Sequence, residues 1–481
     1  MAGLWFDSAL LPSGWARRVR ITAGGGCIES VTTDTDAQPG DERHAIALPG
    51  LPNVHSHAFQ RGLAGLTERR GPDSDSFWSW RELMYRFVER IGPEELEAIS
   101  ALCFAEMLEA GFTHAGEFHY LHHDRGGVPF TDPGELAGRV AAAAAHTGIG
   151  LTLLPVFYAH GGCGGAAPET RQQRFVSDPD GFARIVEACR RAVRLLAGAS
   201  VGIAPHSLRA VTPGELSAVV GLAHGGPIHM HIAEQIREVE ECVAWSGRRP
   251  IEWLLENEVL GESWCLVHAT HATDAELVGI AARRVVVGLC PITESSLGDG
   301  IFPAARFLRE RGRIAIGSDS NILLDAAAEL RTLEYSQRLA QRARNVLAAG
   351  ANASTGRSLF DAALAAGRQA LQGADSGANR ARPLPAAVST GAAGALPPAG
   401  ASPAAGVAAE SSLDVVTLSP AHPALIERRG DEILDSWIFA AGREAIDCVW
   451  RAGVKVVSGG RHRDREVLVK RYGEALRRLR A

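Results

Sequence analysis

The sequence predicts an α/β fold: a (β/α)8, TIM-like barrel with a small β domain built from the N-terminal and C-terminal segments. Three observations carry this prediction. Apolar, strand-like runs alternate with long helical stretches from about residue 49 to 370. Eight such runs can be counted, and polar residues gather where they end. Further strand signals precede and follow this region, as two halves of one small domain would.

Taken in order, residues 1–48 form the first part of the β domain. There "RRVRITAGGGCIESV" reads as a strand, a glycine turn and a second strand. Residues 49–370 form the barrel. Its strands are "ALPGLPNVHSH", "THAGEFHY", "IGLTLLPVFY", "VGIAPHS", "PIHMHIAE", "WCLVHAT", "RVVVGLC" and "RIAIGSDS". Between them lie helical patterns such as "PEELEAISALCFAEMLEAG", with prolines and glycines at the joins. A doubly wound open sheet is the alternative that strand count does not exclude. Residues 371–411 are rich in Ala, Gly, Pro and Ser, and read as a flexible insertion with too little large apolar surface to order itself. Residues 412–460 carry "SLDVVTLS" and "GVKVVSGG", the second part of the β domain. Residues 461–481 close the chain with a basic amphipathic helix whose charges are expected to form a solvated face.

Composition narrows the function. A net charge of -6 argues against nonspecific nucleic-acid binding, which needs a basic surface. No apolar run reaches the roughly 18 residues of a membrane span, and no basic leader opens the chain. The eight cysteines include no CxxC pair, so reduced thiols in a cytoplasmic setting are expected rather than disulfides or a thiolate zinc site. The lysines are Lys455 and Lys470 alone, both near the C-terminus.

Histidines and acids recur at strand ends. His55 and His57 end the first strand, and residues two apart on a strand face one side. His229 and His231 lie on the fifth strand, with Glu234 just beyond; His268 ends the sixth and Asp319 the eighth. Any one of them alone is as well explained by a buried hydrogen bond or a helix cap. Together they converge on the C-terminal face of a barrel, where active sites form, and suit zinc or another borderline divalent ion.

This order of residues resembles the amidohydrolase superfamily. Many two-metal members bridge their ions with a carboxylated lysine on the fourth strand, and this chain has no lysine there. Single-metal deaminases of that superfamily carry a glutamate three residues after the fifth-strand histidine, as "HIAE" does. The stretches "LPNVHSHAFQRGLAGLTE", "FWSWRELMYRF", "EFHYLHH", "APHSLRAV", "HIAEQ", "LVHATH" and "GDGIFP" are similar to the formimidoylglutamate deiminase family. That resemblance runs through most of residues 1–370 and resumes near 412; the insertion departs from it.

The resemblance implies one divalent ion, expected to be Zn2+, on His55, His57, His231 and Asp319. Three neutral imidazoles and one carboxylate leave such a centre positive, with room for water. It further implies that His268 holds the water, that Asp319 can accept its proton, and that Glu234 carries a proton to the leaving nitrogen. Arg81 and Arg209 would grip the two carboxylates of the substrate, with Gln60, Tyr120 and His206 as further contacts. The implied reaction is hydrolysis of N-formimino-L-glutamate to N-formyl-L-glutamate and ammonia in histidine breakdown. A deaminase of guanine or another heterocycle, and a noncatalytic barrel homologue, are the alternatives. A homodimer is left open.

Several other residues carry weaker expectations. His229 is expected to face away from His231 and to serve packing. Trp78 and Trp80 are expected as pocket wall or core, and Glu117 and Glu294 as outer partners of the site. His119, His122, His123 and His271 are expected to be structural.

Overall fold

The computed structural model describes residues 3–71, 75–372 and 411–480, so the insertion expected at 371–411 lies almost wholly outside the described residues. The first four strands are β1 (Leu4–Leu11), β2 (Gly14–Gly24), β3 (Cys27–Thr32) and β4 (Glu42–Pro49). The barrel strands follow: β5 (Leu51–Ser56), β6 (Phe112–His119), β7 (Gly150–Phe157), the pair β8 (Ser200–Val201) and β9 (Ala204–Pro205), β10 (Ile228–Ile232), β11 (Trp264–His268), β12 (Val286–Leu289) and β13 (Arg313–Ile316). The last are β14 (Val415–Leu418), β15 (Ile446–Arg451), β16 (Val454–Ser458) and β17 (Arg461–His462).

Strands β5 to β13 run parallel, and most are buried along their whole length, as barrel strands wrapped by helices must be. Two single bridges complete the ring. Ile203 pairs with Ile228, joining the β8–β9 segment to β10, and Ser56 pairs with Asp319, joining β5 to the end of β13. The closed barrel removes the doubly wound alternative. Several helices start where side chains satisfy their first amide groups: Asp178 and Thr273 accept from Gly181 and Glu276, and Thr212 from Glu215.

The helix Thr355–Gln372 plugs the barrel from the side where the strands begin. Ala366, Ala370 and Leu371 pack on Val54, Cys265, Val286 and Ala315. The carbonyls of Ala370 and Leu371 accept hydrogen bonds from His229 Nε2 (2.8 Å) and Thr152 Oγ1 (3.0 Å). His229 therefore corrects an expectation: two residues before His231 on the same strand, it points to the same side, one layer deeper. Its role is to tie β10 to the plug.

The N-terminal and C-terminal strands form one eight-stranded sheet in the order β17-β16-β15-β14-β4-β1-β2-β3. Its own core includes Phe6, Val19, Ile21, Ile28 and Val415. The run read as one first barrel strand is two strands in two sheets. Gly50 breaks it: a Cβ there would come within 2.2 Å of Thr113, so the chain turns where only glycine fits. The C-terminal helix, Arg465–Arg480, also differs from expectation, because much of its basic face is paired. Arg465 bonds Glu106 and Glu109, Arg471 bonds Glu97, and Arg478 bonds Glu95, all on the helix Pro93–Glu109. No helix among the described residues is long and apolar enough to cross a membrane.

Strands β5 and β13 meet closely. A Cβ on Gly317 would lie 2.8–2.9 Å from backbone and Cβ atoms of His55. Gly317→Ala should therefore cost about 1–3 kcal/mol, read as an earlier midpoint in urea unfolding. Gly214→Ala, where nothing lies within 4 Å, should leave that midpoint in place or raise it.

Candidate active site

The seam that closes the barrel also gathers the predicted ligands. The His55 carbonyl accepts from the amides of Ser318 (3.0 Å) and Asp319 (2.9 Å), and the His57 amide donates to the Asp319 carbonyl (2.9 Å). Below it, Asn53 donates to Ser318 Oγ (2.6 Å), Ser318 Oγ donates to Asn321 (2.6 Å), and Asn321 donates to the carbonyls of His57 and Asp319. Asp319 and Asn321 have φ of 43° and 55°, and His268 has 68°. Such left-handed backbone on non-glycine residues is held only where the surroundings enforce it.

One ligand atom from each of His55, His57, His231 and Asp319 lies within 4.8 Å of the other three, and all four residues are buried. His55 and His57 Nε2 stand 3.4 and 3.3 Å from Asp319 Oδ1, and His55 Nε2 stands 3.0 Å from His231 Nε2. A tetrahedral zinc with bonds near 2.0–2.1 Å needs donors about 3.3–3.4 Å apart, so the spacing fits. His57 Nδ1 donates to the Phe118 carbonyl (2.9 Å) and His231 Nδ1 to the His206 carbonyl (3.1 Å). These bonds leave the Nε2 lone pairs turned inward, as metal ligands require. Burial favours the neutral imidazole, pushing His55 down to about 3 and lowering His57 and His231 as well. Lys455 and Lys470 lie on β16 and the C-terminal helix, outside the barrel.

Beside this cluster stand Glu234 and His268. His268 Nε2 is 3.7 Å from Glu234 and 4.0 Å from Asp319, while its Nδ1 meets Glu294 at 3.1 Å. Glu294 also accepts from the Cys290 amide, so it fixes the ring's orientation. Burial pushes Glu234 up to about 7, where a carboxyl both gives and takes protons near neutrality. For His268, burial opposes the charge, but the carboxylates of Glu234, Glu294 and Asp319 outweigh it and raise its affinity for a proton.

His57, His231, Asp319, Glu234 and His268 line one part of an open cavity; Arg81, Arg209, Gln60, Tyr120 and His206 line much of the rest. Gln60 donates to the Tyr120 hydroxyl at 3.0 Å, leaving its own buried Oε1 without a partner. Arg209 Nη2 lies 4.0 Å from Glu234. Arg81 is not held by Glu82, which pairs with Arg171 instead. The Nε atoms of Arg81 and Arg209 are buried without a hydrogen-bond partner. The structure thus brings every predicted site residue but His55 to the lining of one cavity, and His55 stands just behind it against His231 and Asp319.

Trp80 lines the cavity, whereas Trp78 stands behind the arginines. Glu117 holds the Ala58 amide at 2.7 Å, just beyond the ligand pair. His122 and His123 bond the backbone carbonyls of Val156 and Val176. Met84, Tyr85, Tyr158, Phe175 and Leu297 also line the cavity and were not expected. Tyr85 follows Arg81 by one helical turn, a spacing that could have marked it. Tyr158 closes the run "IGLTLLPVFY", a strand end that could have marked it, whereas Phe175 comes from a loop whose approach has no signature in sequence.

Known proteins share the sequence and the fold of this chain. The model of the Amidohydrolase family matches residues 46–365, and that of "Formimidoylglutamate deiminase HutF, N-terminal domain" matches residues 4–45. Over 481 residues, the whole of both chains, the protein is 43% identical to the formimidoylglutamate deiminase of Pseudomonas aeruginosa. The crystal structure of an amidohydrolase from Brucella melitensis superposes with a TM-score of 0.91 at 48% identity, covering 100% of each chain. An adenosine deaminase from Xanthomonas campestris, solved with bound zinc, superposes at 0.76 with 22% identity over 100% of this chain and 98% of that one, a likeness of fold. The chain belongs to the metal-dependent amidohydrolase family and, within it, to the formimidoylglutamate deiminases.

Proposed function

We propose that this deiminase hydrolyses N-formimino-L-glutamate to N-formyl-L-glutamate and ammonia in histidine degradation, using one zinc ion on His55, His57, His231 and Asp319. One observation carries the reading. A single cavity joins a cluster of neutral imidazoles and a carboxylate to two arginines whose buried Nε atoms have no hydrogen-bond partner among the described residues. A substrate with an amidine at one end and two carboxylates at the other satisfies both parts.

The bound ion would lower the pKa of water toward about 7. Arg81 and Arg209 would take the substrate carboxylates through paired N–H donors, and Gln60, Tyr120 and His206 would complete the pocket. His268, held by Glu294, would orient the attacking water, and Asp319 would accept its proton. Oxygen adds to the formimino carbon and makes it tetrahedral. The two protons of the water would pass in turn, by way of Asp319 and Glu234, to the imino nitrogen, so that the C–N bond breaks with loss of ammonia rather than of an amide anion. The carbonyl of the formyl group then forms.

The direct test is ammonia release from N-formimino-L-glutamate and from guanine, with the first product identified by mass. N-formyl-L-glutamate and ammonia are expected. Activity on guanine alone would overturn the substrate, and formamide with glutamate would overturn the reaction. Glu234→Gln should keep its zinc by elemental analysis yet lose about 10²–10⁴ in kcat. Arg209→Met should raise KM by about tenfold to a hundredfold, read from initial rates, with a smaller change in kcat. Removing the metal with a chelator should abolish ammonia release, and adding zinc back should restore it.

A further inference from the structure

The two cavity arginines share an uncommon support. Trp78 is the second residue of the helix Phe77–Val88, whose start is capped by Ser76; the Trp78 amide donates to the Ser76 hydroxyl at 3.3 Å. Arg81 follows three residues later and Tyr85 four after that, so all three share one helix face. The Arg81 guanidinium carbon lies 4.6 Å from the Trp78 ring centroid and 5.5 Å from that of Tyr85. Arg209, from the loop after β9, lies 5.8 Å from the same indole. Arg237, from the first turn of the helix Ile236–Ser246, lies 4.4 Å from it.

Three cations from three segments around one neutral ring need a reason. Carboxylates could hold them, and one does hold the outermost: Arg237 pairs with Glu241 at 2.7 Å. Among the described residues no acid is hydrogen-bonded to Arg81 or Arg209, Glu234 standing 4.0 Å from Arg209, and their Nε atoms are buried without partners. A carboxylate within the protein would occupy the paired N–H donors that a substrate carboxylate needs. An aromatic face attracts the cation through its quadrupole and leaves those donors free.

We infer that Trp78 is the positioning residue of the dicarboxylate subsite, holding Arg81 and Arg209 by cation–π contact that leaves their N–H donors free. The inference rests on the substrate proposed above. It extends that reading by naming what sets the arginines without neutralising them.

The test uses Trp78→Leu and Trp78→Phe in the zinc-loaded enzyme. Circular dichroism and zinc content check the fold. Leucine should raise KM for N-formimino-L-glutamate by about tenfold to a hundredfold, with kcat reduced less than about threefold. Phenylalanine, which keeps a π face, should recover most of the loss. Glutarate binding, measured by calorimetry, should weaken in parallel. A folded Trp78→Leu variant with KM and glutarate affinity as in the parent would overturn the assignment. So would a fall in kcat at constant KM, or Phe and Leu variants that behave alike. If the parent enzyme fails to turn over N-formimino-L-glutamate, the substrate reading fails; weaker glutarate binding in Trp78→Leu would still sustain the role of Trp78, and equal binding would remove it.

Discussion

The hydrogen bonds between the His55 carbonyl and the amides of Ser318 and Asp319 are the constraint on which the site depends. They join the first barrel strand to the loop after the last. The same residues that close the ring therefore carry three of the four side chains proposed to hold the metal, counting His57, whose amide returns a bond to Asp319. Closing the barrel and assembling the ligand set are one event. The buried amides of Asn53 and Asn321 lock the join from below, and Gly317 gives the strands room to approach. Left-handed backbone at Asp319 and Asn321 is sustained because so many partners enforce it.

Around that seam the protein separates charges by environment. Burial keeps the three ligand imidazoles neutral and their lone pairs available. A few ångströms away His268 stands among three carboxylates, which favour its charged form despite burial. Farther out, Arg81 and Arg209 are supported by aromatic rings. In the proposed reaction one cavity would thus offer lone pairs to a cation, proton carriers to an amidine and N–H donors to carboxylates. The helix Thr355–Gln372 and the charged seam between Pro93–Glu109 and Arg465–Arg480 brace this arrangement from outside the cavity.

Much of this was legible because barrel chemistry leaves a periodic trace. Strand ends carry the polar residues, and HxH places two imidazoles on one face wherever the strand is regular. The missing fourth-strand lysine was equally readable, since absence from a sequence is complete. Other features were not. Gly50 lies inside an apolar run, and only the closeness of Thr113 shows that the chain must change sheets there. His229 was misplaced although the same two-residue period applied to it; its partner, the Ala370 carbonyl, is 141 residues distant. The basic C-terminal helix looked solvated because the glutamates that pair with it are far away in sequence.

The sequence by itself determined the fold class and the family, and it marked the candidate ligands. These depend on residue identity at fixed local spacing, and a strand or helix converts spacing into direction without outside help. The tertiary structure alone decided which partners those residues meet. It set Glu294 behind His268, turned Glu82 toward Arg171 and away from its neighbour Arg81, and brought Arg209 and Arg237 to the indole of Trp78. Such contacts depend on the docking of segments far apart in the chain, and no local pattern encodes the distance between them.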